Sequence, residues 1–290
     1  MSLAALATAA PAAVATDARL QAAVTRIEAD IAASGAEVAV AFRTLDGRVQ
    51  WLRQADQSFH AASTMKVAVL IELYHQVQQG RARLTDSLPV RNEFASLVDG
   101  SPYSLSPEDD SEKDLYQAIG STRTLEQLSV LMITVSSNLA TNLLMQKLGV
   151  ENIRRSVHTL GADGMQVRRG LEDSKAFAQG RNNTTTARAL LVLMSALATG
   201  QAVDQASSAA MVGVLKRQTF NDDIPAGLPP GTPVAHKTGD ITDILHDAAI
   251  VYGPRPFVLV VLTHSKLPMP QSAALIARIA QQLYQALEPP

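Results

Sequence analysis

Ser63 and Lys66 stand three residues apart at the head of an apolar run, Val67-Ala68-Val69-Leu70-Ile71. On a helix that spacing puts a hydroxyl and an amine on one face. A serine hydroxyl attacks a carbonyl poorly until a neighbouring base takes its proton. A lysine amine serves as that base only while neutral, and burial favours the neutral form because desolvation lowers its pKa. Short motifs often match by chance, yet of the seven lysines in this chain only Lys66 follows a serine by three residues. The stretch predicts a buried helix that carries an activated nucleophile.

Two further groupings supply partners for it. In Ser136-Ser137-Asn138, Asn138 is the one asparagine of the chain with a serine two positions before it, and Lys237-Thr238-Gly239 occurs once. The histidines offer little to a competing chemistry. Only His60 is near Ser63, no Gly-x-Ser-x-Gly elbow occurs, and no His-x-x-x-His spacing suggests zinc. The acidic run Pro107-Glu108-Asp109-Asp110 reads as a solvated part of a long surface insertion, Arg91 to Lys113, and not as a metal site.

Composition narrows the classes. A chain of 290 residues with 47% hydrophobic content buries a substantial core. A net charge of -2 and a pI near 6.3 give no basic field for nucleic acid. The absence of cysteine removes thiol nucleophiles, disulfides and thiolate metal sites together. The alanine-rich Met1 to Thr16 has Ala-x-Ala steps without a basic leader or a strong apolar centre, and reads as a signal-peptide remnant or a disordered tail, not a stable membrane insertion.

The elements that must hold these groups follow from periodicity. Leu20, Ala23, Val24, Ile27 and Ile31 predict a one-faced helix, and Val38, Val40 and Phe42, then Asp46-Gly47, then Val49 and Trp51 predict a hairpin. After the Ser63 helix, Thr124 to Val135, Leu139 to Leu148, Val150 to Leu160 and Thr184 to Thr199 read as helices. A charged loop, Arg168 to Asn183, interrupts them. Val234 to Gly239, His246 to Tyr252 and Phe257 to Thr263 predict three antiparallel strands, and Ser272 to Leu287 a closing amphipathic helix. Strands from both ends join one antiparallel sheet covered by the terminal helices, with the middle helices as a second lobe. The expected fold is therefore mixed α/β: a tail at 1–17, an α/β lobe from 18–62 and 214–290, and a helical lobe at 63–213.

Ser-x-x-Lys, Ser-x-Asn and Lys-Thr-Gly in this order resemble the active-site serine family of class A β-lactamases and penicillin-binding proteins. The resemblance covers roughly Ala18 to the C-terminus and implies a β-lactamase/transpeptidase-like architecture. It implies Ser63 as the acylated nucleophile, Lys66 as its proton acceptor or relay, and Ser136 as the group that passes a proton to the leaving lactam nitrogen. Asn138 would bind the substrate's amide, Lys237 would supply positive charge, and Thr238 a hydroxyl for the substrate carboxylate. The backbone N–H groups of Ser63 and Asp240 would hold the oxyanion, with Gly239 keeping the strand edge open.

The departures from the family pattern are as informative. Ser137 replaces the usual aspartate of the second motif, removing a carboxylate that would hold the local backbone. Counting back from Thr184-Thr185-Thr186 puts Gly170 where class A enzymes carry the glutamate that activates water for deacylation, and Ser174 where its partner asparagine belongs. Glu172 takes the role only if the loop follows a shifted path; otherwise it is a solvated carboxylate. Arg168 matches the loop-anchoring arginine, but its aspartate partner is Asn183, leaving at best a charge-assisted hydrogen bond. His246 lies where an arginine is common and reads as structural or as an aid to carboxylate binding. A serine β-lactamase is expected, with roles in antibiotic resistance or β-lactam catabolism. A D-alanyl-D-alanine carboxypeptidase-like enzyme or slow β-lactam acceptor is the alternative, and a non-catalytic sensor a third reading. The expected partners are a β-lactam or a peptidoglycan peptide, with no cofactor, no metal and no nucleic acid, in a monomer placed in the periplasm or secreted.

Overall fold

The computed structural model describes residues 18–288, so the expected tail lies outside the described residues. The chain opens with helix α1 (Ala18–Ser34), whose Leu20, Ala23, Ile27 and Ile31 are buried at helical spacing. Strands β1 (Glu37–Thr44) and β2 (Gln50–Arg53) form the hairpin. Strand β3 (Phe59–His60) and a 3-10 turn (Ala62–Met65) lead into α2 (Lys66–Gln78). The insertion holds β5 (Phe94–Ala95) and β6 (Pro102–Tyr103), and is flanked by β4 (Ser87–Pro89) before it and by α3 (Asp114–Gln117) and β7 (Thr122–Thr124) after it. The helices α4 (Leu125–Thr134), α5 (Asn138–Leu148), α6 (Val150–Thr159) and α7 (Ser174–Ala178) follow, then β8 (Thr184–Thr185), α8 (Ala187–Ala198) and α9 (Gln205–Leu215). Strands β9 (Val234–Ile241), β10 (Ile244–Val251) and β11 (Phe257–His264) precede the long α10 (Met269–Leu287).

The principal sheet runs β2-β1-β11-β10-β9, all antiparallel, so strands from the two ends of the chain are interleaved. Its alternate residues enter two separate cores. Val258, Val260 and Leu262 face the helical side with Ala39 and Ala41, whereas Phe257, Leu259 and Val261 face α1 and α10 with Val38, Val40 and Phe42. Period-two alternation places both sets in apolar surroundings, which explains why β11 reads as a continuous hydrophobic run and fixes its register. Strand β9 is left at one edge, where the 3-10 turn packs against it.

Two expectations change. The stretch from Arg91 to Lys113 is not merely a solvated excursion: β5 pairs with β6, β4 pairs with β7 beyond it, and Ser96, Leu105 and Asp110 are buried. Helix α9 runs from Gln205 to Leu215, so a boundary between 213 and 214 would cut a helix; we propose that the division falls after Leu215.

Candidate active site

Ser63 sits in the 3-10 turn and Lys66 is the first residue of α2, so the nucleophile is on a tighter turn than the expected α-helix. Three residues per turn still send both side chains off one side of the chain. Lys66 Nζ donates to Ser136 O at 2.6 Å, Ser136 Oγ at 3.1 Å and Asn138 Oδ1 at 2.9 Å, and no hydrogen bond joins it to Ser63 among the described residues. Lys237 Nζ donates to the same Ser136 Oγ at 3.0 Å and to Thr238 O at 2.9 Å. A hydroxyl has two lone pairs and one hydrogen. With both lone pairs facing amines, the hydrogen of Ser136 is left for a third partner. Ser136 is held at φ +58, a strained conformation for a non-glycine residue that the turn before α5 imposes.

Both lysines are fully buried. Burial, together with the charge on Lys237, holds the Lys66 amine well below its ordinary pKa, with Asp110, Asp240 and Glu172 opposing. Burial pushes Lys237 down to about 8 against the pull of Asp240 and Asp247. Both amines are thus pushed toward their neutral forms, Lys66 well below its ordinary value and Lys237 to about 8, which leaves Lys237 cationic at neutral pH.

Asn138 links the lysine to the loop carboxylate. Its Oδ1 faces Lys66, and its Nδ2 donates to Glu172 Oε1 at 3.0 Å, so the two partners fix the orientation of the amide. Glu172 Oε2 accepts from the Ser106 N–H at 2.9 Å. Burial raises the Glu172 carboxyl pKa although both hydrogen bonds lower it, and the residue has φ +61. The loop is shaped by a close approach at Gly170, where a Cβ would stand 2.6 Å from Tyr103 Oη and 3.1 Å from Asn142 Oδ1. Asn142 grips the next residue through both backbone groups, accepting from Leu171 N at 2.7 Å and donating to Leu171 O at 3.0 Å. A side chain at 170 has no room, and the loop turns Glu172 toward Asn138 instead. Ser174 is exposed at the start of α7.

The expected Arg168–Asn183 contact takes another form. Asn183 Oδ1 accepts from the backbone N–H groups of Arg168 at 2.8 Å and Arg169 at 3.1 Å, and its Nδ2 donates to Arg169 O at 3.0 Å. The Arg168 side chain is exposed, and the buried arginine is Arg169, bonded to Asn182 Oδ1 and Gly170 O. A neutral amide makes this backbone clamp with its own donor and acceptor, a pattern that no carboxylate can reproduce.

Asp110 corrects the reading of the acidic run as solvated. It is buried, and its Oδ2 accepts from the N–H groups of Asn138 and Leu139, both at 2.9 Å, and from the Tyr116 hydroxyl at 3.0 Å. The Ser137 hydroxyl donates to the same oxygen at 3.4 Å, and its oxygen caps α5 by accepting from Ala140 N. The carboxylate missing from position 137 is thus delivered from the insertion, 27 residues upstream. Asp110 and Asn142 are the two residues that sequence reasoning missed. The unexplained Ser137 was the signal that a carboxylate should be sought elsewhere.

His246 is structural: fully buried, it faces His60 O at 2.9 Å and Leu245 O at 2.8 Å, and burial pushes its pKa down to about 4. Gly239 has a reason beyond an open strand edge, since a Cβ there would lie 3.0 Å from the backbone nitrogens of Ser63 and Thr64. Only glycine lets β9 approach the nucleophile's turn so closely. In front of these groups lies a cleft of about 750 Å³ bordered by Ser63, Ser136, Asn138, Thr238 and Asp240.

The sequence profile of the β-lactamase enzyme family matches residues 19–287. A β-lactamase of Bacillus licheniformis is 28% identical over 219 residues, 67% of this chain and 71% of that protein. The crystal structure of a β-lactamase from Sphaerobacter thermophilus is similar with a TM-score of 0.77 at 27% identity, covering 93% of this chain and 98% of that one. A structure of PBP-A is similar with a TM-score of 0.78, also at 27% identity, over 92% of this chain and 96% of its own. With its strand order, its paired lysines on one serine and a profile match spanning nearly its whole length, the chain belongs to the β-lactamase enzyme family.

Proposed function

We propose that this chain is a serine β-lactamase that opens the lactam ring through an ester on Ser63. The observation that carries the reading is the convergence of Lys66 and Lys237 on Ser136 Oγ beside the cleft that Ser63 borders. In acylation, Ser63 Oγ bonds to the lactam carbonyl carbon, and its proton passes to Lys66. The oxyanion is met by the N–H groups of Ser63 and Asp240. As the C–N bond breaks, Ser136 gives its hydrogen to the ring nitrogen and is reprotonated from Lys66. Lys237 and Thr238 hold the substrate carboxylate, and Asn138 its amide. Glu172 then takes a proton from water as it attacks the ester carbonyl, and that proton passes to Ser63 Oγ as the C–O bond breaks, which releases the ring-opened acid and regenerates the Glu172 carboxylate.

The deacylation half decides between this reading and a penicillin-binding peptidase or slow acceptor. Glu172 is tied to Asn138 and Ser106, not free, and PBP-A is among the similar folds. A positioned general base contributes about 10²- to 10⁴-fold, so a Glu172 that stays tied would let the acyl-enzyme persist. Sustained hydrolysis of a chromogenic cephalosporin, lost in Ser63→Ala, supports the β-lactamase. One equivalent consumed and then a stall would establish the acceptor. No described helix is long and apolar enough to cross a membrane. We propose a monomer, periplasmic or secreted, acting in antibiotic resistance or β-lactam catabolism, which sedimentation and fractionation of the producing cell would test.

A further inference from the structure

The cleft extends well past the groups used above. Beyond Thr238 and Asp240 it runs along the 220–226 loop to the first half of α10, where Phe220 and Met269 are 41% and 44% exposed and Pro270, Ala273 and Ala277 complete an apolar wall. Its charged lining is of one sign: Asp109, Asp222, Asp223 and Asp240, with no lysine, arginine or histidine among the described residues that border it.

Asp223 gives this acidity a direction. The residue is only 4% exposed and borders the cleft, yet its carboxylate makes no hydrogen bond or ion pair with any described residue. Its neighbour Asp247 is by contrast satisfied, by His236 Nδ1 at 3.1 Å and the Ile224 N–H at 3.2 Å. A buried carboxylate without a partner is costly, and Asp223 is one of the residues that line the cleft.

We infer that the cleft takes a β-lactam bearing a positively charged, partly apolar substituent, with the charge at Asp222 and Asp223 and the apolar atoms against Phe220, Met269 and Ala273. The inference rests on the β-lactamase reading of Ser63. A cation there meets an unpaired acid inside a low-dielectric wall, where a charge pair is stronger than at an open surface, and quaternary or heteroaromatic nitrogen needs no hydrogen-bond acceptor of exact geometry. The groups facing Asp223 are Asp222 on its own loop, Asp240 from β9 and Asp247 from β10, the last bonded to His236; α10 contributes only apolar side chains to the lining. Burial and these carboxylates hold Asp223 up to about 8. The preference for the cation therefore rises with pH through that value, and binding at neutral pH releases a proton.

The test compares two cephalosporins that differ only in a pyridiniummethyl or an acetoxymethyl ring substituent, on the wild type, Asp223→Asn and Asp222→Asn. The expected wild-type preference for the cation is about tenfold or more, carried by KM and not kcat, and each variant cuts it to about threefold or less. A parallel calorimetric titration of Ser63→Ala with benzyltrimethylammonium and with the neutral benzyl alcohol needs no acylation. Binding of the cation alone, weakened in the Asp223→Asn/Ser63→Ala double variant, supports the subsite even if every lactam proves inert, in which case only the lactam is withdrawn. Equal or better binding of benzyl alcohol, or a cation preference unmoved by both aspartate changes, overturns the inference.

Discussion

Replacing Asp110 with alanine strips the Ser136–Asn138 turn of the carboxylate that holds it. Five donors lose their acceptor: the N–H groups of Asn138 and Leu139, each at 2.9 Å, that of Glu112 at 3.1 Å, and the Tyr116 and Ser137 hydroxyls at 3.0 and 3.4 Å. Hydrogen bonds to a charged group contribute about 1.5–3 kcal/mol each, but water re-enters at the cleft edge and the losses are not additive, so we expect about 3 kcal/mol in total. For a chain of this length that is a fall of roughly 5 °C in Tm. The same turn carries Ser136 and Asn138, and a shift of about 1 Å in either is enough to slow acylation by about 10²-fold.

The two effects separate in a double-mutant cycle read by stopped-flow acylation and thermal melting. Ser137→Asp alone is destabilising, because its carboxylate meets Asp110 where the Ser137 hydroxyl now stands 3.4 Å away. In the Asp110→Ala background the same change restores a carboxylate at the α5 N-terminus, where helix capping and the macrodipole favour it. It is expected to recover at least about tenfold of the lost acylation rate. Additive effects of the two substitutions, or an Asp110→Ala protein that melts lower but acylates at the wild-type rate, would refute the positioning role.

Further outcomes follow from the same geometry. Glu172→Gln is expected to slow deacylation by about 10²-fold or more while acylation persists, so that steady-state turnover falls and an initial burst appears. Because burial raises the Glu172 carboxyl and Lys237 is held down to about 8, turnover in the wild type is bell-shaped. Its acid limb lies above the ordinary glutamate pKa and vanishes in Glu172→Gln; its alkaline limb, where Lys237 loses its charge, falls near 8 and appears in KM for anionic substrates. Gly170→Ala places a methyl group 2.6 Å from Tyr103 Oη and is expected to cost about 1–3 kcal/mol by overpacking. Its deacylation rate should drop more than its acylation rate. Ser136→Ala removes the hydroxyl that both lysines share, and pre-steady-state acylation is expected to fall by about 10²-fold with thermal stability retained.

Much of this was legible in the residues, and for identifiable reasons. β9 to β11 and α10 announce themselves because both faces of the sheet are covered, so apolar runs and a clean helical period survive in the sequence. Ser63, Lys66, Ser136 and Lys237 were legible because their spacings are unique, and the structure brings their segments to one cleft. The two-residue pairing of β3 with β8 left no local signal, since residues 59 and 185 meet only through tertiary folding. α9 was missed because its alanines and serines form no sharp apolar stripe. Asp110 was misread for a related reason: an aspartate in a polar loop looks solvated until the turn it caps is brought against it. The path of the Glu172 loop was hidden in the same way, being set by Asn142 and by the space that Tyr103 takes beside Gly170.

The most direct measurement is the mass of the intact protein, acid-quenched seconds after mixing with benzylpenicillin, with the modified peptide then mapped. The account predicts one penicilloyl group per chain, carried on Ser63, absent from Ser63→Ala and accumulating in Glu172→Gln. An unmodified protein in all three samples, or an adduct on any other residue, would contradict it.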